Sequence, residues 1–256
     1  MHSSYTSPIS IRLSVFTALL ALLVVACKSR PTIEITQEEI VAYVDSLKSP
    51  DMEYSVGQSL RFAKDEQTYK AIEYLLGEEI VLHYEEFNTD DVLTSRSIYY
   101  KKGVPVFISE GIVDNAAEKE SFVEKEIYTN GDDILLAQKR SAEYDSELPY
   151  VEFKESDADL DDSDFERPKN AIRQTGDFEM KFGEFLLIEP EKYLILENKE
   201  SQYDVALFFV DSDPLLDSLQ TRPDFYQGET IFVKHQFRLV NDIERMIYMG
   251  GFIVED

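Results

Sequence analysis

Tyr128-Thr129-Asn130-Gly131-Asp132-Asp133-Ile134-Leu135-Leu136 is one of three related segments that decide the fold. Its pattern is Tyr-x-x-Gly-x-x followed by three apolar residues, and the same pattern begins at Tyr74 and at Tyr100. The three glycines lie 26 and then 28 residues apart, a period that indicates stacked supersecondary units. Asn130-Gly131 is a strong hairpin signal because both central residues of a type I′ turn need positive φ.

The register of these hairpins has two possible solutions. A two-residue turn at Asn130-Gly131 places Ile127 opposite Ile134 and Tyr128 opposite Asp133. A type I turn with a glycine bulge shifts the pairing by one residue. Both registers predict six or more antiparallel strands, with a helix packed against one face of the sheet.

The three Tyr-x-x-Gly segments resemble β-hairpin repeats of MORN type, especially the variant found in antitoxin-like bacterial proteins. The resemblance covers roughly residues 66 to 140. It implies a hairpin-repeat sheet and an immunity or inhibitor role. A plain meander, in which the tyrosines are cross-strand packing residues, predicts the same architecture.

An amphipathic helix is predicted before the repeats. Thr36 and Glu39 have the spacing of a capping box, in which the hydroxyl and the carboxylate each accept a backbone N–H. Apolar residues follow at helical spacing: Ile40, Val44 and Leu47. Pro50 blocks further helix, so the sequence predicts a helix over residues 37–48.

The segment after the repeats is strongly acidic. Residues 155–166 contain seven acids and no base. Three of the acids match the first ligand positions of a calcium loop: Asp157, Asp159 and Asp161. The match then fails, since Asp162 replaces the turn glycine and Pro168 replaces the closing glutamate. Like charges at this density favour a solvated linker over residues 155–175, with weak divalent-cation binding left open.

The last segment, residues 176–256, is predicted to form a second small β domain. Its apolar runs have the length and the β-branched or aromatic content of strands: 182–188, 193–196, 205–210, 230–240 and 246–254. A short helix is predicted over residues 213–219, with Pro214 at its first position. Five strands with this helix before the fourth suggest a partly open barrel of OB or SH3-like shape.

The amino-terminal segment has the layout of a secretory signal, with Arg12 followed by an apolar stretch that ends at Cys27. Val24-Val25-Ala26-Cys27 resembles the lipobox of bacterial lipoproteins, with Val25 where alanine or serine is usual. The resemblance implies cleavage before Cys27 and acylation of its sulfur and its amino group. An ordinary secretory signal with an incidental cysteine is the alternative, and the apolar stretch is short for a membrane span.

The lipobox also implies a location. Lys28, rather than aspartate, follows the cysteine, which in this family implies delivery to the outer membrane, here facing the periplasm. The predicted organisation is a signal peptide over residues 1–26 and a lipidated tether over 27–35. The helix with the hairpin repeats then covers 36–154, the linker 155–175 and the barrel 176–256.

Composition restricts the partners and the chemistry. The chain has 51 acids against 25 bases, a net charge of −26, which repels nucleic acid and favours a basic partner. With its single cysteine, Cys27, expected to carry lipid and only two histidines after it, the chain offers no cysteine nucleophile and no Cys/His zinc site. His83 and His235 are both predicted to be structural, and Lys234, Gln236 and Arg238 are predicted to form a solvated basic stripe.

No catalytic constellation and no cofactor motif stands out along the chain. The leading hypothesis is therefore a lipid-anchored, non-enzymatic binding or scaffold protein whose partner is an envelope protein. Three alternatives stay open. The first is an immunity protein against a basic periplasmic toxin. The second is a half-barrel lipid carrier, which predicts a continuous apolar groove on the repeat sheet. The third is a hydrolase that uses paired carboxylates.

Overall fold

The structure is a computed structural model that describes residues 32–117 and 121–254. From Thr32 onward the chain forms one compact unit. The predicted signal peptide and Cys27 lie outside the described residues. No helix within the described ranges is both long and apolar enough to cross a bilayer.

The described part of the chain contains four α-helices, fourteen strands and two single-turn 3-10 helices, Leu148–Tyr150 and Gly176–Phe178. The helices are α1 Gln37–Leu47, α2 Asp162–Arg173, α3 Pro214–Thr221 and α4 Pro223–Tyr226. The strands before the repeats are β1 Ser55–Gln58 and β2 Phe62–Lys64. The repeat strands are β3 Gln67–Leu76, β4 Glu79–Asn88, β5 Val92–Lys101, β6 Val104–Asp114, β7 Phe122–Asn130 and β8 Asp133–Ala142, followed by β9 Lys154–Glu155. The last strands are β10 Lys181–Ile188, β11 Glu191–Asn198, β12 Tyr203–Phe208, β13 Ile231–Val240 and β14 Ile243–Ile253.

All fourteen strands belong to one mixed sheet, in which the main order is β10-β11-β12-β2-β3-β4-β5-β6-β7-β8-β9. β1 pairs with β3, and the β13–β14 hairpin joins the sheet through a parallel contact between β14 and β12. The mainly β class, with a short helix against an antiparallel hairpin-repeat sheet, is confirmed. The last five strands pair in the order β10-β11-β12-β14-β13, and within the described residues only a bridge between Lys181 and Thr230 joins the two ends, so the arrangement is open. It is not separate from the repeats, because β12 also pairs with β2.

The first helix forms as predicted and ends at Leu47. The Thr36 hydroxyl accepts a hydrogen bond from the Glu39 N–H, and the Glu39 carboxylate accepts one from the Thr36 N–H, 2.8 Å long. Ile40 and Val44 are buried against the sheet. The capping box thus starts the helix, and its apolar face holds it on the hairpin repeats.

Each hairpin of the repeats contains a β-bulge, which follows the second pair of opposed residues counted from the turn. In the third hairpin Tyr128 pairs with Leu136 and Thr129 with Ile134, which leaves Leu135 as the extra residue. The predicted register, with Ile127 opposite Ile134, is therefore wrong: the two loop residues are Gly131 and Asp132, and Ile127 pairs with Ala137. Because of the bulge, every side chain of β8 beyond it points to the opposite face of the sheet from the one that this prediction assigned to it.

The second hairpin is offset by one residue from the other two. Its loop is Lys102-Gly103, and both residues have positive φ, 54° and 74°. In the first and third hairpins the glycine is the first loop residue, as in type II′ turns. The tyrosine equivalent to Tyr74 and Tyr128 is consequently Tyr99. Tyr100 lies on the opposite face of the sheet.

The acidic segment is the main departure from prediction, because α2 replaces most of the expected linker. Asp161 caps this helix by accepting hydrogen bonds from the N–H groups of Ser163 and Asp164. Phe165 is only 1% exposed and inserts among apolar residues of the repeat sheet. Carboxylates at a helix amino terminus are favoured by its dipole, so part of the acidic run stabilises this helix.

Basic side chains of the sheet and of α2 complete the docking of this helix. Arg96 Nη1 lies 2.7 Å from Asp164 Oδ1. Arg167 Nε lies 3.0 Å from Oε1 of Glu85, which is fully buried and also accepts a 2.7 Å hydrogen bond from the Tyr69 hydroxyl. These ion pairs hold α2 against β3, β4 and β5. Asp164 of the acidic segment is thus paired with a base, and the segment does not form an extended linker.

Glu110 continues this ionic network across the sheet. Burial raises the pKa of its carboxyl, but hydrogen bonds from Lys125 and Arg96 outweigh burial, so the net shift is downward. The contacts are 2.8 Å to Lys125 Nζ and 2.8 Å to Arg96 Nη2. The face of the repeat sheet beneath α2 is thus closed by buried apolar contacts and by compensated charges.

The repeats and the last strands share one hydrophobic core. Phe62 of β2 packs against Phe178 and Tyr203, with ring centroids 4.8 and 5.6 Å apart. Tyr69 of β3 stacks on the same Phe178 ring at 5.2 Å. The predicted short helix is also present, as α3, with Asp213 as its N-cap.

Candidate functional site

His83 is fully buried and lies in the interior of the sheet. Its Nδ1 is 3.1 Å from the Tyr100 hydroxyl, and the two rings make an edge-to-face contact. Its Nε2 lies 3.9 Å from Glu73 Oε2. These contacts are those of a packed core histidine.

His235 is also held by internal contacts. One ring nitrogen, Nε2, lies 3.0 Å from the Ser59 carbonyl oxygen. Burial lowers the pKa of the imidazole, and the bond to Ser59 opposes that shift only in part. Lys234, Gln236 and Arg238 are exposed on the other face of the same strand, which confirms the predicted stripe.

The three aspartates of the calcium-like pattern do not form a ligand cluster. Asp161 accepts the capping hydrogen bonds of α2, while Asp157 and Asp159 precede the helix. Over residues 32–117 and 121–254, no group of three His, Cys, Asp or Glu side chains is placed to hold a metal ion.

A concave surface lies on the α1 side of the repeat sheet. Its floor consists of short side chains at neighbouring positions of β5 and β6: Ser95, Ser97, Ser109 and Gly111. Ser95 pairs with Gly111, and Ser97 pairs with Ser109. A Cβ added at Gly111 would come within 3.2 Å of the Ser95 hydroxyl oxygen. We call this depression, of about 610 Å³, the serine groove.

Larger side chains of the flanking strands form the walls of the serine groove. Tyr84 and Glu86 of β4 stand on one side, next to Ser97 and Ser95. Glu124 of β7 stands on the other side, next to Gly111, with Arg140 of β8 beyond it. The groove therefore follows the strand direction because small residues occupy the two central strands and large ones the outer strands.

The serine groove continues beneath the edge of α1. A second cleft, of about 310 Å³, shares Ser97, Ser109 and Glu124 with the first and is roofed by Ile40 and Val44. Beneath α1 this cleft adjoins a row of aromatic and apolar side chains from six strands: Tyr74, Leu82, Tyr99, Phe107, Tyr128 and Leu136. The helix covers this row and leaves the serines open.

Most charged side chains that line the two clefts are acidic. The acids are Asp45, Glu86, Glu124, Glu126 and Asp145, and the bases are Lys48 and Arg140. Glu124 accepts a 2.7 Å hydrogen bond from Arg140 Nε. Burial, followed by the nearby Glu126 carboxylate, raises the pKa of Tyr128 to about 12. At neutral pH the lining thus carries negative charge that its own bases compensate only in part.

Acidic side chains stand on both walls of the serine groove and of its continuation under α1. The backbones of Glu86 and Glu124 are three strand spacings apart, about 14 Å, whereas Glu124 and Glu126 lie two residues apart on the same face of β7. Neither His83 nor His235 lines the groove, so its serines lack a histidine base. The serines, the glycine and the carboxylates share the lining with apolar side chains, among them Leu93, Phe122 and Leu148.

Sequence reasoning missed the serine groove. The available signal was the alternation of small residues in two consecutive strands, Ser95 with Ser97 and Ser109 with Gly111. Only strand pairing shows that the two sets are neighbours on one face.

Comparisons with protein-family models, with curated proteins and with solved structures found no match to this chain.

Proposed function

We propose that this chain is a lipid-anchored, non-enzymatic binding protein of the bacterial envelope, and that its serine groove receives a basic segment of a partner protein. The observation that carries the proposal is the groove itself, with a floor of serines and glycine between walls that carry carboxylates. The sequence of residues 22–27 supports the envelope location.

The shape of the groove favours a stretch of polypeptide as the ligand. Its volume falls within the range of ligand sites, and it extends along the strands to the edge of α1. The small floor residues leave room for a ligand main chain, and their hydroxyls can donate and accept hydrogen bonds. The walls place carboxylates on both sides, where lysine or arginine side chains would lie.

The net charge favours a basic partner in particular. A chain of −26 attracts cationic proteins over a long range and speeds their association at low ionic strength. The same field repels nucleic acid. A scaffold for a basic envelope protein and an immunity protein for a basic toxin would both use this surface.

Cross-linking in living cells tests the serine groove. A photoreactive residue in place of Ser95 should capture one envelope protein in a saturable manner, because Ser95 lies on the groove floor. The same probe in place of Gln236, exposed on β13, should not capture that protein. Mass spectrometry of the cross-linked band gives the partner and its isoelectric point.

A variant that fills the groove provides the counterpart of this experiment. Ser97→Phe places a ring where the two clefts meet and should reduce capture from position 95 about tenfold or more. Gln236→Phe adds the same ring to an exposed position and should leave capture unchanged. Equal capture from position 95 in the unaltered, the Ser97→Phe and the Gln236→Phe backgrounds would rule out the proposed groove ligand. Capture of acidic proteins only would also rule it out.

The anchor makes a separate prediction. Cys27→Ser removes the thiol that would carry the lipid, so the protein should move from the membrane fraction to the soluble fraction. The natural form should also lose mass on removal of its acyl groups. Ser29→Ala is the matched control and should stay with the membrane. A Cys27→Ser protein that still sediments with the membrane would disprove lipid anchoring.

A further inference from the structure

The sheet ends at β10, and this edge is exposed and apolar. Leu186, Leu187 and Ile188 are 42, 65 and 55% exposed. The start of β10 is covered, since the Phe182 N–H donates to the Glu229 carbonyl. Beyond Phe182, no described strand pairs with the outer edge of β10. Consecutive exposed apolar residues on an unpaired edge are unusual in a soluble domain, because such edges template strand pairing.

The backbone groups of this edge point outward at two positions. The Lys192 carbonyl on β11 accepts a 3.0 Å hydrogen bond from the Phe209 N–H, so the polar backbone groups of Lys192 point away from β10. Lys192 pairs with Leu187, and this pair is therefore a non-hydrogen-bonded one. The N–H and C=O of Leu187 must then point out of the sheet, as do those of Phe185 two residues earlier.

A groove runs along this edge. Phe185 and Leu187 line one side, and the segment from the end of α3 through α4 lines the other with Gln220, Pro223, Asp224 and Gln227. The space between them is about 540 Å³. An edge strand that faces a helical segment across a groove is the arrangement in which proteins bind extended peptides by strand addition.

The opposite end of the sheet is protected from pairing with other chains. Its last strand, β9, has only two residues, Lys154 and Glu155, and both are charged. Short charged strands of this kind protect a sheet from pairing with other chains. The contrast between the two ends sets β10 apart as an edge open to a ligand strand.

We propose that the outer edge of β10 binds an extended basic segment of another protein as an added antiparallel or parallel strand. Backbone groups of Phe185 and Leu187 pair with the ligand main chain, and the side chain of Leu187 and the groove beside α4 take its apolar side chains. The charged residues at the groove are Glu184, Asp224 and Lys192, so acids outnumber bases there, and together with the net charge of −26 they favour cationic side chains on the ligand. This surface is independent of the serine groove, which lies on the repeat strands.

A second copy of the chain is the competing occupant, because two β10 edges could pair with each other. The charge of −26 on each copy opposes that association and favours a basic strand. Sedimentation of the full chain at physiological salt separates the two occupants. A monomer agrees with the proposal, and a dimer that Leu187→Pro dissociates would overturn it.

Binding of a synthetic peptide to the full chain in detergent tests the proposal directly. The probe is a short peptide that alternates lysine and valine, and its glutamate–valine counterpart is the charge control. Leu187→Pro removes the outward N–H without breaking a bond to β11, and it should weaken binding of the lysine peptide about tenfold. Leu187→Ala keeps the N–H and should weaken binding about threefold.

A modified peptide keeps the experiment decisive even when the proline variant misfolds. Methylation of alternate backbone nitrogens on the bonding edge of the lysine peptide should weaken binding to the unaltered protein about tenfold. Methylation of the nitrogens on the other edge should have little effect. Equal affinity for both methylated peptides, or for the glutamate–valine peptide, would overturn strand addition of a basic segment.

Discussion

Phe165→Ala should lower the free energy of unfolding by about 3 to 5 kcal/mol. Phe165 is the apolar anchor of α2, and it is only 1% exposed where it packs on the face of the repeat sheet. Truncation leaves a cavity between α2 and the sheet, because the other buried residues of the helix, Pro168 and Ala171, are too short to fill it. Urea unfolding of the purified chain, followed by circular dichroism, measures the loss.

Phe225→Ala is the matched control, because it deletes the same atoms from a side chain that is 68% exposed. Its effect on unfolding should stay below about 1 kcal/mol. Hydrogen exchange adds a local measurement: the amides of α2 should exchange faster in Phe165→Ala and at the original rate in Phe225→Ala. Equal stability of the two variants would mean that α2 does not dock through Phe165.

Arg167→Leu should destabilise the protein by about 3 kcal/mol, because it leaves the fully buried Glu85 carboxylate without its cation. The Tyr69 hydroxyl would remain as a hydrogen-bond donor to Glu85, and a single neutral donor does not replace an ion pair. Adding Glu85→Leu to Arg167→Leu should restore a large part of the loss, since two apolar side chains can replace a buried pair at little cost.

Lys169→Leu is the control on the same helix. Lys169 pairs with Glu166, whose side chain is 52% exposed, and exposed pairs contribute about 0 to 1 kcal/mol. A thermal or urea midpoint of Lys169→Leu close to that of the unaltered chain is therefore expected. If the unfolding midpoint of Arg167→Leu were equal to that of Lys169→Leu, the ion pair between Arg167 and Glu85 would stabilise the protein no more than a surface ion pair.

The two faces of the repeat sheet have different roles because different side chains alternate along the same strands. On β5, Arg96 and Ile98 point to the face that α2 covers, whereas Ser95 and Ser97 point to the serine groove. Destabilising α2 should thus leave the serines in place as long as the strands stay paired. Stability and binding can be measured separately on this basis.

Several elements could be predicted from local patterns alone. The capping box at Thr36 and the spacing of Ile40, Val44 and Leu47 were sufficient for α1, because both act within one or two helical turns. Runs of apolar and β-branched residues were sufficient for β10 to β14, and Asp213-Pro214 was sufficient for the start of α3. The mainly β class follows from the same signals.

The hairpin turns show where local patterns became insufficient. The glycines marked the turns, but Tyr99 rather than Tyr100 joins Tyr74 and Tyr128 beneath α1. The offset arises because the second loop has two residues with positive φ, Lys102 and Gly103, and a lysine there gives no sequence signal. Strand pairing on both sides selects the register in which the apolar side chains are buried.

The conformation of the acidic segment depends on residues that are distant from it in the chain. Read alone, its seven acids between residues 155 and 166 repel one another and predict an extended linker. In the folded chain Arg96 binds Asp164 and the core of the repeat sheet accepts Phe165, so the segment becomes a helix. Short-range signals thus set the class of fold and most of its elements. Charge compensation and burial across the sheet set the second helix, the shared core and the serine groove, because those interactions exist only once distant strands are paired.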